Sequence, residues 1–132
     1  MVCYYCKNNT IVTNSRHQKK LNTVWRRRKC LSCNSTMTTI EACDLASTLI
    51  VANKSHLTPF ERDKLYLSVY KCLGHRKNPI NNASHLVNTI IEKIYSSQTE
   101  AKIDSSKIIS YTYVILSRYD KLAAQQYWAL HK

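Results

Sequence analysis

Two Cys-x2-Cys pairs, Cys3-x2-Cys6 and Cys30-x2-Cys33, constrain this chain more than any other feature. Each pair on a tight knuckle presents two thiolates to one ion. Two pairs complete a closed four-sulfur site, the donor set of structural zinc. A closed site leaves no open coordination position, so the expected role of the zinc is structural rather than catalytic. The segment around it holds few large apolar side chains, so metal binding should supply most of its folding free energy. Cys43 and Cys72 fall in no such motif and read as ordinary thiols. The N-terminus MVCYYCKNNT lacks the apolar centre of a signal peptide, and no apolar run approaches the roughly 18–20 residues of a membrane span. The expected location is cytoplasmic, where thiols stay reduced.

Between and after the knuckles the residues favour strands. Thr10 to Thr13, Thr23 to Trp25 and Thr36 to Ile40 form three short β-prone runs. Three strands around one zinc predict a zinc ribbon over residues 1–45. The charge is equally directive. The chain carries 20 Lys and Arg against 8 Asp and Glu, a net charge of +12. No acid occurs before Glu41. So basic a segment points to a polyanion, most simply nucleic acid. Its densest part, Arg26-Arg27-Arg28-Lys29, runs directly into Cys30. Side chains alternate between the faces of a strand, so these four are expected to grip two walls of a groove or follow a phosphate backbone rather than cover one flat face, the alternative being a solvated charged surface. Arginine suits either task, because its planar fork binds phosphate or a guanine edge bidentately. Trp25, beside them, is expected in the core.

The second half reads as helical. Leu49 through Leu57 predicts a short strand or hairpin. Thr58-Pro59-Phe60-Glu61 carries a capping-box pattern with proline at the first helical position, predicting a helix from Pro59 to about Leu73 with Gly74 as its stop. A second helix is expected over about Asn82 to Ser96, with Leu86, Ile90 and Ile94 in one stripe and Val87, Ile91 and Tyr95 in the next. A third should run from Ser105 to about Ser117, and a fourth should start at an Asp120 cap. The whole is an α+β chain, a zinc ribbon followed over residues 49–132 by a strand pair and four helices. No catalytic set emerges. The five histidines, at 17, 56, 75, 85 and 131, are scattered, and one glycine in the chain leaves no glycine-rich phosphate loop. The expectation is a binding protein rather than an enzyme.

The order of these pieces resembles the bacterial transcriptional repressors of ribonucleotide reductase genes, in which a zinc ribbon precedes an ATP-cone. Besides the cysteines, the resemblance rests on Asn14-Ser15-Arg16, on VWRRRKC ending at Cys30, on Thr38-Thr39-x-Glu41, and on Pro59-Phe60-Glu61-x-x-Lys64-Leu65. Ile103-x-Ser105-x-x-Ile108, Asp120 and Ala123 extend it. It implies double-stranded DNA as partner, at promoter operator boxes, with Arg16, Arg26, Arg27, Arg28 and Lys29 as contacts. It also implies a homo-oligomer modulated by ATP or dATP, held near Val51, Lys54, His56 and Lys64. One departure stands out. The family's cone begins V-x-K-R-D-G, and here Ala52-Asn53 replaces the Lys-Arg pair and Lys54-Ser55 the Asp-Gly turn. His131 stands where the family has tyrosine. Two lost cations predict weakened or reshaped nucleotide binding. The alternative reading is an accessory zinc-ribbon protein with weak nucleic-acid binding.

Overall fold

The computed structural model describes residues 1–132 and divides them into two compact units, Met1–Cys43 and Asp44–Lys132. The first is a three-stranded antiparallel sheet, β1 (Thr10–Gln18), β2 (Thr23–Cys30) and β3 (Thr36–Glu41), with β2 in the centre. β1 runs five residues beyond its β-prone start. Asn14, Ser15, Arg16, His17 and Gln18 show no hydrophobic alternation, yet pair with β2 as far as Gln18 opposite Thr23. A bulge at Thr13 shifts the register between Val12 and Asn14, and the Thr13 hydroxyl donates to the carbonyl of Arg27 at 3.2 Å. Within this unit only Cys3 and Cys30 are buried. Trp25, expected in a core, is half-buried, with the Arg16 guanidinium 5.8 Å from its ring centre.

The second unit contains α1 (Leu45–Thr48), β4 (Ile50–Asn53), β5 (His56–Pro59), α2 (Arg62–Lys71), α3 (Pro79–Ser97), β6 (Lys102–Asp104), α4 (Ser105–Tyr119) and α5 (Lys121–His131). Its sheet has the order β5-β4-β6, with β5 antiparallel and β6 parallel to β4. The expected strand pair is thus three strands, and a one-turn helix joins the expected four. β6 has a single buried side chain, Ile103, so it leaves no periodic trace in the sequence. The core is formed by Leu65, Val69 and Leu73, by Leu86, Val87, Ile90 and Ile94 of α3, and by Thr112, Leu116 and Tyr127 from α4 and α5. Tyr95, placed in the apolar stripe of α3, is exposed.

Three helix boundaries differ from expectation. The Thr58-Pro59-Glu61 capping box does not form. Thr58 and Pro59 end β5, and Glu61 precedes the helix without a side-chain cap bond. Pro59 is tolerated because β5 is an edge strand, where a missing N–H breaks no interior ladder. α2 ends at Lys71, and the chain turns through Cys72 N–H to the Val69 carbonyl and Leu73 N–H to the Tyr70 carbonyl. Gly74 adopts no left-handed conformation and is not the stop. α3 begins at Pro79, three residues before Asn82, with proline in its first turn.

Asp120 does cap α5. One carboxylate oxygen accepts the Ala123 N–H at 3.0 Å, and the other accepts from His75 Nε2 at 2.7 Å and Arg76 Nε at 2.6 Å. Arg76 also lies over the Tyr119 ring, 5.0 Å from its centre. One carboxylate therefore ties the α2–α3 connection to the α4–α5 turn. The His75 bond, opposed by burial and aided by the Ala123 N–H and Arg76, holds it well below the usual carboxylate range. Replacing Asp120 with Ala should destabilise this unit by ~1–2 kcal/mol in denaturant titration, mostly through the lost cap. The ion pairs add little, because the His75 and Arg76 side chains are 32% and 42% exposed. A carboxyl with a depressed folded-state pKa contributes fully above its unfolded value, about 4, and loses that contribution as the pH falls further. The gap between Asp120→Ala and the wild type should therefore narrow below about pH 4.

Candidate metal centre, nucleic-acid interface and cavity

The two knuckles are built alike. In each, the residue after the second cysteine is left-handed: Lys7 at φ 65° and Asn34 at φ 58°. That conformation turns the chain back on itself. Cys3 N–H donates to the Asn8 carbonyl at 2.7 Å, and Cys30 N–H to the Ser35 carbonyl at 2.9 Å. The result brings Cys3, Cys6, Cys30 and Cys33 together, with all four Sγ atoms within 4.8 Å of one another. Cys3 and Cys33 sulfurs are 3.7 Å apart, and those of Cys6 and Cys30 are 3.4 Å apart. A tetrahedral zinc with bonds of about 2.3 Å requires sulfur separations of about 3.8 Å, so the residues fit one ion. Cys43 and Cys72 lie outside the cluster.

The four sulfurs differ in how firmly they hold a proton. Cys3 is drawn down to about 6, chiefly by the Ser35 hydroxyl at 3.2 Å, and Cys33, 2.9 Å from the same hydroxyl, is also lowered. Cys6 receives a bond from the Asn8 side chain at 3.5 Å, but the neighbouring Cys30 sulfur, burial and the other two thiols outweigh its backbone contact with Asn8 and push it up to about 11. Four sulfurs this close do not all ionise without a cation between them. A bound zinc supplies that charge. Ser35 and Asn8 escaped the sequence reading, because a hydroxyl or amide two residues past a knuckle has no spacing rule of its own.

The basic run lies on β2, and its side chains alternate as the strand demands. Arg26 and Arg28 share a face with Cys30, while Arg27 and Lys29 share the opposite face with Trp25. Each arginine is tethered to β3. Arg26 pairs with Glu41, Arg27 donates to Thr36 at 2.8 Å and Thr38 at 3.2 Å, and Arg28 donates to Thr39 at 3.1 Å. The Arg26 bond holds the Glu41 carboxyl below its usual range. Arg16, opposite Trp25, joins the Arg27 face. Glu41 and the threonines of β3 therefore hold the guanidinium groups of β2 on both sides of the sheet.

In the second unit a cavity of about 470 Å³ is lined by the β4–β5 hairpin, α2, α4 and α5. Its apolar wall includes Val51, Phe60, Leu65, Ile108, Ile109 and Tyr127, and its charged groups are Lys54, Glu61, Lys64 and Lys132. Val51, Lys54 and Lys64 were singled out from the sequence and are brought together here; His56 is not among the lining residues. Lys54 sits at the hairpin turn with φ 48°. Left-handed lysine costs about 1–2 kcal/mol. Asn53 lines the cavity without charge, whereas Ala52 does not line it. His131, one of the five scattered histidines, lines the cavity from the end of α5.

Residues 1–41 match the family model described as the N-terminal domain of transcriptional repressor NrdR-like proteins. The whole chain aligns with proteins named transcriptional repressor NrdR. It is 32% identical to that of Rhodospirillum centenum, covering 86% of it. It is 30% identical to that of Afipia carboxidovorans, covering 84%, and 31% identical to one from Rhodopseudomonas palustris, covering 82%.

Proposed function

This chain belongs to the family of NrdR transcriptional repressors, and from that premise we propose that it represses ribonucleotide reductase genes by binding double-stranded DNA at their promoter operator boxes. Residues 1–45 serve as the DNA-binding domain, with zinc held by Cys3, Cys6, Cys30 and Cys33, and Arg16, Arg26, Arg27, Arg28 and Lys29 as DNA contacts. The observation that carries this reading is the position of the arginine run: it occupies the central strand and ends on a zinc ligand. Metal binding therefore fixes the strand that presents the charge. Full-length similarity to named repressors disfavours an accessory protein with only weak nucleic-acid binding. Work in the cytoplasm suits both the DNA partner and reduced thiols, and no helix is long and apolar enough to cross a membrane. The test is a DNA titration over a salt series. Tight, salt-dependent binding to reductase promoter DNA, and much weaker binding to unrelated DNA of equal length, is the expected result; equal affinity for both would count against operator recognition.

Residues 49–132 serve as an ATP-cone-like unit that takes ATP or dATP in its cavity and thereby sets the homo-oligomeric state. Lys54 and Lys64 supply phosphate charge, and Val51 packs against the ligand. With Ala52 and Asn53 in place of two cations, binding is weaker than is usual for the family. Calorimetric titration with ATP and dATP, alongside sizing chromatography, checks this. We expect affinity weaker than low micromolar. A low-micromolar dissociation constant with a nucleotide-dependent change in oligomer would show that the lost pair is fully compensated.

A further inference from the structure

The cavity holds a group whose charge is not fixed. His131 lines its wall, and its ring stacks on that of Tyr127, 4.1 Å between centres and 21° apart in plane. Its Nδ1 lies 2.9 Å from the Tyr127 carbonyl oxygen. A carbonyl only accepts, so Nδ1 carries the hydrogen, and in the neutral ring Nε2 is left as a bare acceptor. Nε2 makes no hydrogen bond within the chain. Such a ring, held in place by a stack and one bond, repels an anion while neutral and becomes a charge-assisted donor on taking a proton at Nε2.

We infer that His131 is a phosphate-binding group of this cavity, contacting the bound nucleotide through protonated Nε2 and making its affinity pH-dependent. The inference rests on the reading of the cavity as a nucleotide site. The charged groups lining the cavity with His131 are Lys54 from the hairpin turn, Glu61 and Lys64 from the start of α2, and Lys132 after α5; Tyr127 stays protonated, its hydroxyl pushed up by burial. α4 contributes Ser105, Ile108 and Ile109 to the wall and no charge. A proton on His131 would add a fourth positive charge to those of Lys54, Lys64 and Lys132 around the cavity. Proton uptake and ligand binding then favour each other. Affinity falls as the pH rises through the range in which histidine loses its charge.

The experiment is calorimetric titration of the full chain with ATP and with adenosine at pH 6 and pH 8, repeated for His131→Gln and His131→Phe. Glutamine keeps a neutral donor, and phenylalanine keeps the ring stack. Helical content by circular dichroism identifies the variant that remains folded. The wild type should bind ATP about tenfold more tightly at pH 6 than at pH 8 beyond whatever slope the variants show, the scale of one hydrogen bond to a charged group. Adenosine, lacking phosphates, should show no such slope. The phosphates of ATP titrate in the same range, and their contribution is common to wild type and variants. Equal slopes in wild type and a folded variant, with binding retained, would overturn the role of His131 and leave the cavity a nucleotide site. An adenosine slope as large as that for ATP would overturn the phosphate contact. No ATP binding by the wild type at either pH would overturn the cavity reading itself, and this inference with it.

Discussion

Replacing Cys30 with Ser should release the metal and unfold the ribbon while the helical unit stays folded. The first unit buries no side chains except Cys3 and Cys30, so it has no apolar core to survive on. Structural zinc contributes roughly 10–16 kcal/mol of apparent binding free energy in small zinc domains at neutral pH, far more than a sheet of this size obtains from packing. With three sulfurs left, most of that is lost. The second unit has its own core from Leu65 through Tyr127 and needs no ion. The check is zinc content by mass spectrometry of the native protein, read with amide exchange. Fast exchange over residues 1–43 with unchanged protection in α3 and α4 is the expected pattern. One tightly held zinc per chain in the variant would refute the four-cysteine assignment.

Changing Arg26, Arg27 and Arg28 together to Ala should remove most of the DNA affinity without unfolding the ribbon. The three residues lie on two faces of β2, and their tethers to Glu41, Thr36, Thr38 and Thr39 are between side chains that are at least partly exposed. Their loss costs little stability. If all three meet phosphates, the slope of log affinity against log salt should fall by about 0.9 for each, or roughly 2–3 in total. If one reads a guanine, discrimination at that base should drop by ~1–3 kcal/mol instead. An unchanged slope and unchanged discrimination would make the run a solvated surface.

The metal centre was legible because its chemistry dictates spacing: two thiolates per knuckle, two knuckles per ion. The arginine run was legible because charge needs no fold to be counted. What lay hidden were features fixed by contacts across the chain. Ser35 acquires its place beside Cys3 and Cys33 only when the second knuckle closes on the first. The polar end of β1 is a strand because β2 offers it a ladder, not because Asn14 to Gln18 prefer one. β6 is too short for periodicity, and only its parallel pairing with β4 makes it a strand. Only Pro59 reads as a helix start in the sequence, yet it is Pro79 that begins one. Pro79 begins a helix and Pro59 ends an edge strand, and the difference lies in whether the next residues find a helix or a sheet to join. His131 reached the cavity for a similar reason, through the path of α5, which Asp120 starts.

The alternation along β2 also limits how this chain can vary in length. Arg26, Arg28 and Cys30 share one face because an even number of steps separates them, and Cys30 must meet Cys6 across the knuckles. Deleting one residue anywhere between Trp25 and Lys29 leaves the zinc ligand anchored and reverses every side chain upstream of the gap. Trp25 would lose Arg16 from above it, and Glu41 would face a different partner. Substitutions along this strand change the grip on a polyanion one contact at a time, whereas a single lost codon exchanges its two sides at once. The turn at residues 19–22, which joins β1 to β2 outside the ladder, is where a change of length leaves the grip intact.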